Sequence, residues 1–187
     1  MELIKILELL GVATALAYLV LVTKRRWLAW PFYIASSCLY APVFWSANLY
    51  ADAALQVYFV VMGVYGWMSW KAEAEEVSVV SSPIRRNLAV GAGILGVSAL
   101  LGCVLSFTRA GAFGYSDAFI SVGSIVATYL TARKVLESWF FWIVIDVVAT
   151  IVFVMRELDS TVWLYLLYSL LAVRAYFIWL RAMRGSA

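Results

Sequence analysis

The sequence predicts an all-α integral membrane protein of seven transmembrane helices, ordered as three helices, one linking helix and three more. Three observations carry this. Of the 187 residues, 65% are apolar and only 13% charged, and mean hydropathy is +0.93, whereas soluble domains sit nearer half apolar and a quarter charged. A chain this apolar cannot cover its surface with polar groups, so much of that surface must face lipid. The apolar residues also fall into runs close to the roughly 20 residues that a helix needs to cross a bilayer. Finally, lysine and arginine collect at alternate breaks between the runs, as the loops on one side of a membrane require.

The expected spans are 7–23, 27–45, 52–70, 88–107, 115–132, 138–155 and 162–180. The start, Met1 to Glu8, carries Glu2, Lys5 and Glu8, which is not the basic start of a cleavable leader, so the first run is expected to stay. Only Lys24, Arg25 and Arg26 part the first two spans, which makes them a tight helical hairpin. The longest polar stretch, 71–87, contains Glu73, Glu75, Glu76, Ser81, Ser82, Pro83, Arg85 and Arg86. It reads as a hydrated linker and the one internal boundary. The expected organisation is therefore a first triple-helix bundle over 1–71, a cytoplasmic linker with its linking helix over 72–114, and a second triple-helix bundle over 115–187.

One side of the membrane receives Lys24, Arg25, Arg26, Lys71, Arg85, Arg86, Arg133, Lys134, Arg181 and Arg184; the other receives Lys5, Arg109 and Arg156. This bias puts the N-terminus outside and the C-terminus in the cytoplasm. An internal repeat is also visible. Trp27 and Trp30 open the second span with the spacing of Trp139 and Trp142 in the sixth, each pair preceded by basic residues. The third span ends on Trp67 and Trp70, and the seventh on Tyr176 and Trp179. A single linking helix between two triplets leaves them parallel.

Polar groups at membrane depth are costly and mark candidate sites. Asp146 stands eight residues into its span, about 12 Å along the helix from Ser138. An aspartate at that depth is unfavourable by roughly 3 kcal/mol and needs a partner or a wet cavity. It serves either structurally, paired with Arg174 or protonated and hydrogen-bonded to a neighbouring helix, or as a ligand contact for donor groups or a cation. Gln56 offers two donors and an acceptor in the third span, for a solute or for a neighbouring helix. Tyr33 and Tyr40 share one face of the second span, Tyr165 and Tyr168 one face of the seventh, and Ser124 and Thr128 are one turn apart in the fifth. Aromatic side chains around a cavity can stack on a flat heterocycle, more strongly if it is cationic. Asp52 and Asp117 open their spans and are expected to cap free backbone N–H groups. Cys38 and Cys103 lie in apolar runs and are expected to be buried, inert thiols rather than a disulfide.

Histidine is absent, no metal-ligand cluster or phosphate-cradling glycine loop is present, and no nucleophile has a base at usable spacing. An enzyme, a metal centre, a cofactor and a nucleic-acid partner are all disfavoured.

The run Trp30-Pro31 to Leu49-Tyr50-Ala51-Asp52, then Leu55-Gln56, Tyr65-Gly66-Trp67 and Trp70, resembles the first half of the PnuC-type vitamin transporter family. In the second half Asp117, Ala127-Thr128-Tyr129-Leu130, Arg133-Lys134, Glu137, Trp139, Trp142-Ile143 and Asp146 are similar to the same family's pattern. The resemblance runs from Trp27 to Trp179. It implies a fold like that of the SWEET sugar facilitators, a midplane site between the triplets, and facilitated diffusion of nicotinamide riboside, thiamine, riboflavin or a nucleoside. It also implies trapping of the solute by a cytoplasmic kinase, without ion coupling or cofactor. The candidate binding set is Gln56, Asp146, Trp30, Tyr33, Tyr40, Ser124, Thr128, Tyr165 and Tyr168; Trp67, Trp70, Trp139 and Trp142 would form a cytoplasmic gate. Pro42, Gly63 and Gly66 are candidate hinges. Nicotinamide riboside is the first expectation for the solute and thiamine the second, because Asp146 stands where nicotinamide riboside carriers favour asparagine. The setting is a bacterial inner membrane. A sugar facilitator and an intramembrane enzyme are the readings from other classes, and self-association into a homo-oligomer stays open.

Overall fold

The computed structural model describes residues 2–47, 49–72, 78–107, 113–157 and 159–185. Among them the chain forms seven α-helices: α1 (Glu2–Thr23), α2 (Ala29–Ser46), α3 (Tyr50–Lys71), α4 (Ile84–Ser106), α5 (Gly114–Ala132), α6 (Ser138–Met155) and α7 (Asp159–Gly185). Four of these segments, Glu2–Thr23, Ile84–Ser106, Ser138–Met155 and Val162–Gly185, are long and apolar enough to cross a membrane. The expected sixth span coincides with α6. α1, α3, α4, α5 and α7 start before their expected spans, because a helix continues through polar end residues once its backbone hydrogen bonds are started, whereas α2 starts two residues later than expected, at Ala29. The acidic expectations Glu73, Glu75 and Glu76, and Arg109, lie outside the described residues.

Two compact units divide the chain. The first comprises Met1–Ser78 with Ala132–Lys134, and the second Val79–Thr131 with Val135–Ala187.

In the first unit α2 packs on both α1 and α3, through glycine. A Cβ on Gly11 of α1 would sit 3.1 Å from the Tyr40 ring, and one on Gly63 of α3 would sit 2.5 Å from Ile34 Cγ1. At Gly66 it would lie 2.3 Å from Cε2 of Trp30, so the indole lies flat on bare α3 backbone. Both glycines proposed as hinges are thus contact notches. Trp30 and Trp70 are fully buried and perpendicular, with ring centroids 5.3 Å apart. Trp70 Nε1 donates to the carbonyl of Ala132 at 3.0 Å, one of the helix-end acceptors that α5 cannot satisfy internally. Lys134 Nζ reaches the Ser69 carbonyl at 3.3 Å.

In the second unit the glycine notches recur. Gly123 of α5 would place a Cβ 2.9 Å from Ile145 of α6, and Gly102 of α4 would place one 2.6 Å from the Tyr115 ring of α5. Trp139 and Trp179 join α6 to α7 with centroids 5.3 Å apart and planes at 86°, the values found for Trp30 and Trp70. The segment before α4 is strapped to the α5–α6 turn. Leu136 N donates to Val80 O at 2.9 Å, Ser81 Oγ to Glu137 Oε1 at 2.6 Å, and Ser82 N to Glu137 Oε2 at 2.9 Å. Glu137 therefore places a carboxylate near the N-terminal end of α4, the end a helix dipole makes favourable for an anion.

The two units share local geometry at a constant separation in sequence. The step that takes Trp30 to Trp139 and Trp70 to Trp179 also takes the helix bounds Thr23, Ala29, Ser46 and Tyr50 to Ala132, Ser138, Met155 and Asp159. It takes Arg25, with φ 56°, to Lys134, with φ 65°. The turn bond from Arg26 N to Leu21 O and its counterpart from Val135 N to Leu130 O are both 3.0 Å. Both turns thus end a helix on a left-handed residue, the usual helix-stop conformation. In this register Trp30, not Trp27, matches Trp139. Trp27 instead lies beside Lys71, whose Nζ is 5.5 Å from its ring centroid.

Two expectations are corrected. Cys38 and Cys103 are free but exposed, because an apolar helix in a bilayer turns its outward face to lipid and not to a protein core. Asp117 does not act as a simple cap. Arg156, from the α6–α7 turn, reaches both its carboxylate oxygens through Nη2 at 2.7 Å while lying 4.4 Å from the Phe113 ring centroid.

The Gly66 notch generates a prediction. Gly66→Ala must displace the Trp30 indole, at about 1–3 kcal/mol for an overpacked contact, so the detergent-solubilised protein should melt several degrees lower. Gly91→Ala, at a position with open space around it, should leave the melting temperature unchanged.

Candidate functional site

In the first unit, Gln56 sits one turn and a half into α3 and is 8% exposed. Among the described residues its Nε2 makes only a long contact, 3.4 Å, to the Asp52 carbonyl of its own helix, which leaves most of the amide's hydrogen-bonding capacity uncommitted there. On α2, Tyr33 and Trp30 belong to an aromatic cluster. Tyr33 stands 4.6 Å from the Tyr18 ring, 5.7 Å from Trp30 and 5.8 Å from Phe59, centroid to centroid. Tyr40 lies two turns from Tyr33, stacks on Phe44 at 5.5 Å and closes over Gly11. Tyr18 was not singled out in the sequence, since a lone tyrosine in an apolar run carries no periodic signal.

The four tryptophans expected at a gate do not share one environment. Trp70 and Trp139 are buried, held by the perpendicular pairs described above. Trp67 is 36% exposed and has Lys71 Nζ 5.8 Å from its ring centroid. Trp142 is half-buried, and its Nε1 donates to Thr131 Oγ1 at 3.1 Å while that hydroxyl donates onward to Ala127 O at 2.9 Å. Thr131 is thus a positioning residue for Trp142 that sequence reading missed; only the turn of helix between α5 and α6 reveals it.

In the second unit, Asp146 is 5% exposed, in the middle of α6. The ion pair with Arg174 is not formed. Arg174 is exposed, and among the described residues no side chain donates to the Asp146 carboxylate. Thr150 binds only the Asp146 backbone carbonyl, at 2.7 Å. Thr128 is fully buried and Ser124, four residues before it on α5, is half-buried. Tyr165 and Tyr168 of α7 lie 5.7 Å apart, and Tyr165 is 5.0 Å from Phe153 of α6.

The first unit thus offers an amide and aromatic faces, and the second a carboxyl group, hydroxyls and aromatic faces, side-chain types that can hold a flat ring with donor groups. Among the described residues no three His, Cys, Asp or Glu side chains gather as a metal site. Leaving Asp146 buried without a protein donor is the costly feature, and costly features persist where they are used.

Comparison with known proteins agrees with the resemblance read from the sequence. The pattern of the family described as nicotinamide mononucleotide transporter matches residues 5–181. The nicotinamide riboside transporter PnuC of Escherichia coli is 24% identical over 206 residues, spanning 95% of this chain and 86% of that protein. The riboflavin/roseoflavin transporter RibM of Streptomyces davaonensis is 27% identical over 188 residues, spanning 96% and 87%. A crystal structure of the vitamin B3 transporter PnuC superimposes with a TM-score of 0.79 at 23% identity, covering 97% of this chain and 83% of that one. That likeness establishes the fold.

Proposed function

The chain belongs to the nicotinamide mononucleotide transporter family, and from that membership we propose that it carries a vitamin precursor, nicotinamide riboside first, into the cell by facilitated diffusion. It is a multi-pass membrane protein of a transporter family, not an enzyme. The observation that carries the proposal is Asp146, a carboxyl group 5% exposed with no donor from the described protein, in a chain whose other candidate contacts are mostly aromatic. Nicotinamide riboside supplies what that carboxylate lacks, a cationic ring beside hydroxyl donors. Gln56 and Asp146 are assigned the polar contacts. Trp30, Tyr33, Tyr40, Tyr165 and Tyr168 are assigned the aromatic ones, and Ser124 and Thr128 supply hydroxyls.

Thiamine is the second reading, because the same carboxylate accepts from an aminopyrimidine. The relation to RibM keeps riboflavin as a third, and deoxynucleosides follow. A sugar facilitator would need no carboxylate at this depth, and an intramembrane enzyme would release a chemically altered product. We assign all seven helices to the membrane, with the N-terminus outside. The two triplets are read as parallel copies around α4, a reading supported by the constant sequence separation of their helix bounds and tryptophan pairs. Of the tryptophans, Trp67 and Trp142, the less buried, are assigned to the moving part of a cytoplasmic gate, and Trp70 and Trp139 to its fixed frame. A cytoplasmic kinase that phosphorylates the solute would make uptake one-way without ion coupling.

Calorimetric titration of the purified protein with nicotinamide riboside, thiamine, riboflavin, a deoxynucleoside and a sugar should give micromolar binding for one heterocycle. Asp146→Ala should abolish that binding in a protein that still elutes as a folded species; unchanged affinity removes Asp146 from the site. In vesicles loaded with the kinase and fixed ATP, a proton ionophore should leave initial uptake intact. A collapse of uptake would mean that an ion gradient drives it.

A further inference from the structure

We propose that Ser37 of α2 is a further solute-contacting, specificity-determining residue, the first unit's counterpart of Asp146, and that its hydroxyl meets a hydroxyl or amide group of the solute. The proposal rests on the reading of Asp146 as a solute ligand.

The step that takes Trp30 to Trp139 takes Ser36 to Ile145 and Ser37 to Asp146. The first of these new pairs can be checked independently. Ser36 Oγ donates to the Gly11 carbonyl of α1 at 3.0 Å, and Ile145 packs on Gly123 of α5. Each residue thus fits α2 or α6 onto a glycine of the helix preceding it. The next residue on each helix is turned by the same 100° or so away from that contact. There Ser37 and Asp146 both stand, 3% and 5% exposed.

Ser37 also shares the bonding state of Asp146. Hydroxyls inside helices usually bond back to a carbonyl three or four residues earlier, as Thr14, Thr23, Ser46, Thr131 and Thr150 do here at 2.7–2.9 Å. Among the described residues Ser37 has no such bond and no other, although its neighbour Ser36 is satisfied. The hydroxyls of Ser82, Ser98, Ser138 and Ser169 are fully buried without partners among the described residues, but none of them stands at the register of Asp146. Ser37 does, and it lies between Tyr33 and Tyr40 on the same face of α2, one turn from each.

The chemistry at the two positions is complementary. A carboxylate only accepts, whereas a hydroxyl donates and accepts, so Ser37 suits an oxygen- or amide-bearing part of the solute and adds no second charge. An aspartate at both positions would favour cations without discrimination.

The test is calorimetry on Ser37→Ala, Ser37→Cys and Asp146→Ala, each titrated with nicotinamide riboside, thiamine and riboflavin, beside thermal melting of each variant. Ser37→Ala should weaken binding of the solute that the parent protein takes by about ten-fold with an unchanged melting temperature. Ser37→Cys keeps the size but offers a weaker donor, and should fall between; it also serves if the alanine variant does not fold. If both Ser37 variants bind as tightly as the parent while Asp146→Ala has lost binding, Ser37 is a packing residue and the proposal is overturned alone. If Asp146→Ala binds normally too, the reading of Asp146 falls with it.

Discussion

Helices in a bilayer gain little by hiding apolar side chains from one another, because lipid tails are as apolar as leucine. They associate where their surfaces interlock and where buried polar atoms find partners. In this chain that interlocking is built on glycine facing a large side chain. The Trp30 indole lies on Gly66, Ile34 on Gly63, Tyr40 on Gly11, Ile145 on Gly123 and Tyr115 on Gly102. Such contacts bring backbones close enough for dispersion to accumulate, and they leave no room for a methyl group. The positions of α1, α2 and α3 within the first unit follow from three of these notches. So do the angles at which Trp30 and Trp70 meet, and therefore the direction in which Trp70 presents its indole N–H.

That N–H ends on the Ala132 carbonyl, and the link matters because helix termini carry the unsatisfied acceptors of a membrane protein. Of the three non-glycine residues with positive φ among the described residues, Arg25 and Lys134 are basic and the third, Glu157 after α6, is acidic; all three hold a conformation that glycine adopts more easily. The strap from Val80 to Glu137 is found on the α5–α6 turn. There the residue matching Leu28 is an acid, and the acid fastens the chain entering α4.

How much of this was legible in the sequence depended on whether the signal was local. Hydropathy found all seven helices, and the matched ends Trp67–Trp70 and Tyr176–Trp179 were read in the register the structure uses. The matching beginnings were misread by three residues. Trp27 and Trp30 imitate the spacing of Trp139 and Trp142, yet Trp27 belongs beside Lys71 at the helix end, and only the perpendicular indole pairs identify Trp30 with Trp139. Asp117 was read as a cap because its partner, Arg156, is 39 residues away; Glu137 and Ser81, 56 residues apart, were beyond sequence reading for the same reason. The burial of Asp146 and Gln56 was legible from depth along their helices. The absence of a pair between Asp146 and Arg174 was not, since it depends on which face each presents.

The corrected register changes what the candidate residues mean. Read as isolated polar intrusions, Gln56 has a structural explanation of nearly equal weight, while for Asp146 the ligand reading is the stronger. At matched sequence positions Gln56 corresponds to Tyr165 and Ser37 to Asp146, so the second unit carries the acid and the first the amide. A carrier benefits from that division. A single uncompensated carboxylate discriminates by charge, while neutral hydrogen bonds, each worth about 0.5–1.5 kcal/mol, discriminate by shape without holding the solute too tightly to release. Facilitated diffusion requires release as much as capture, because affinity that is equal in every state speeds nothing. One acidic group among aromatic and neutral polar contacts, as proposed here, meets that requirement better than a pair of acids would.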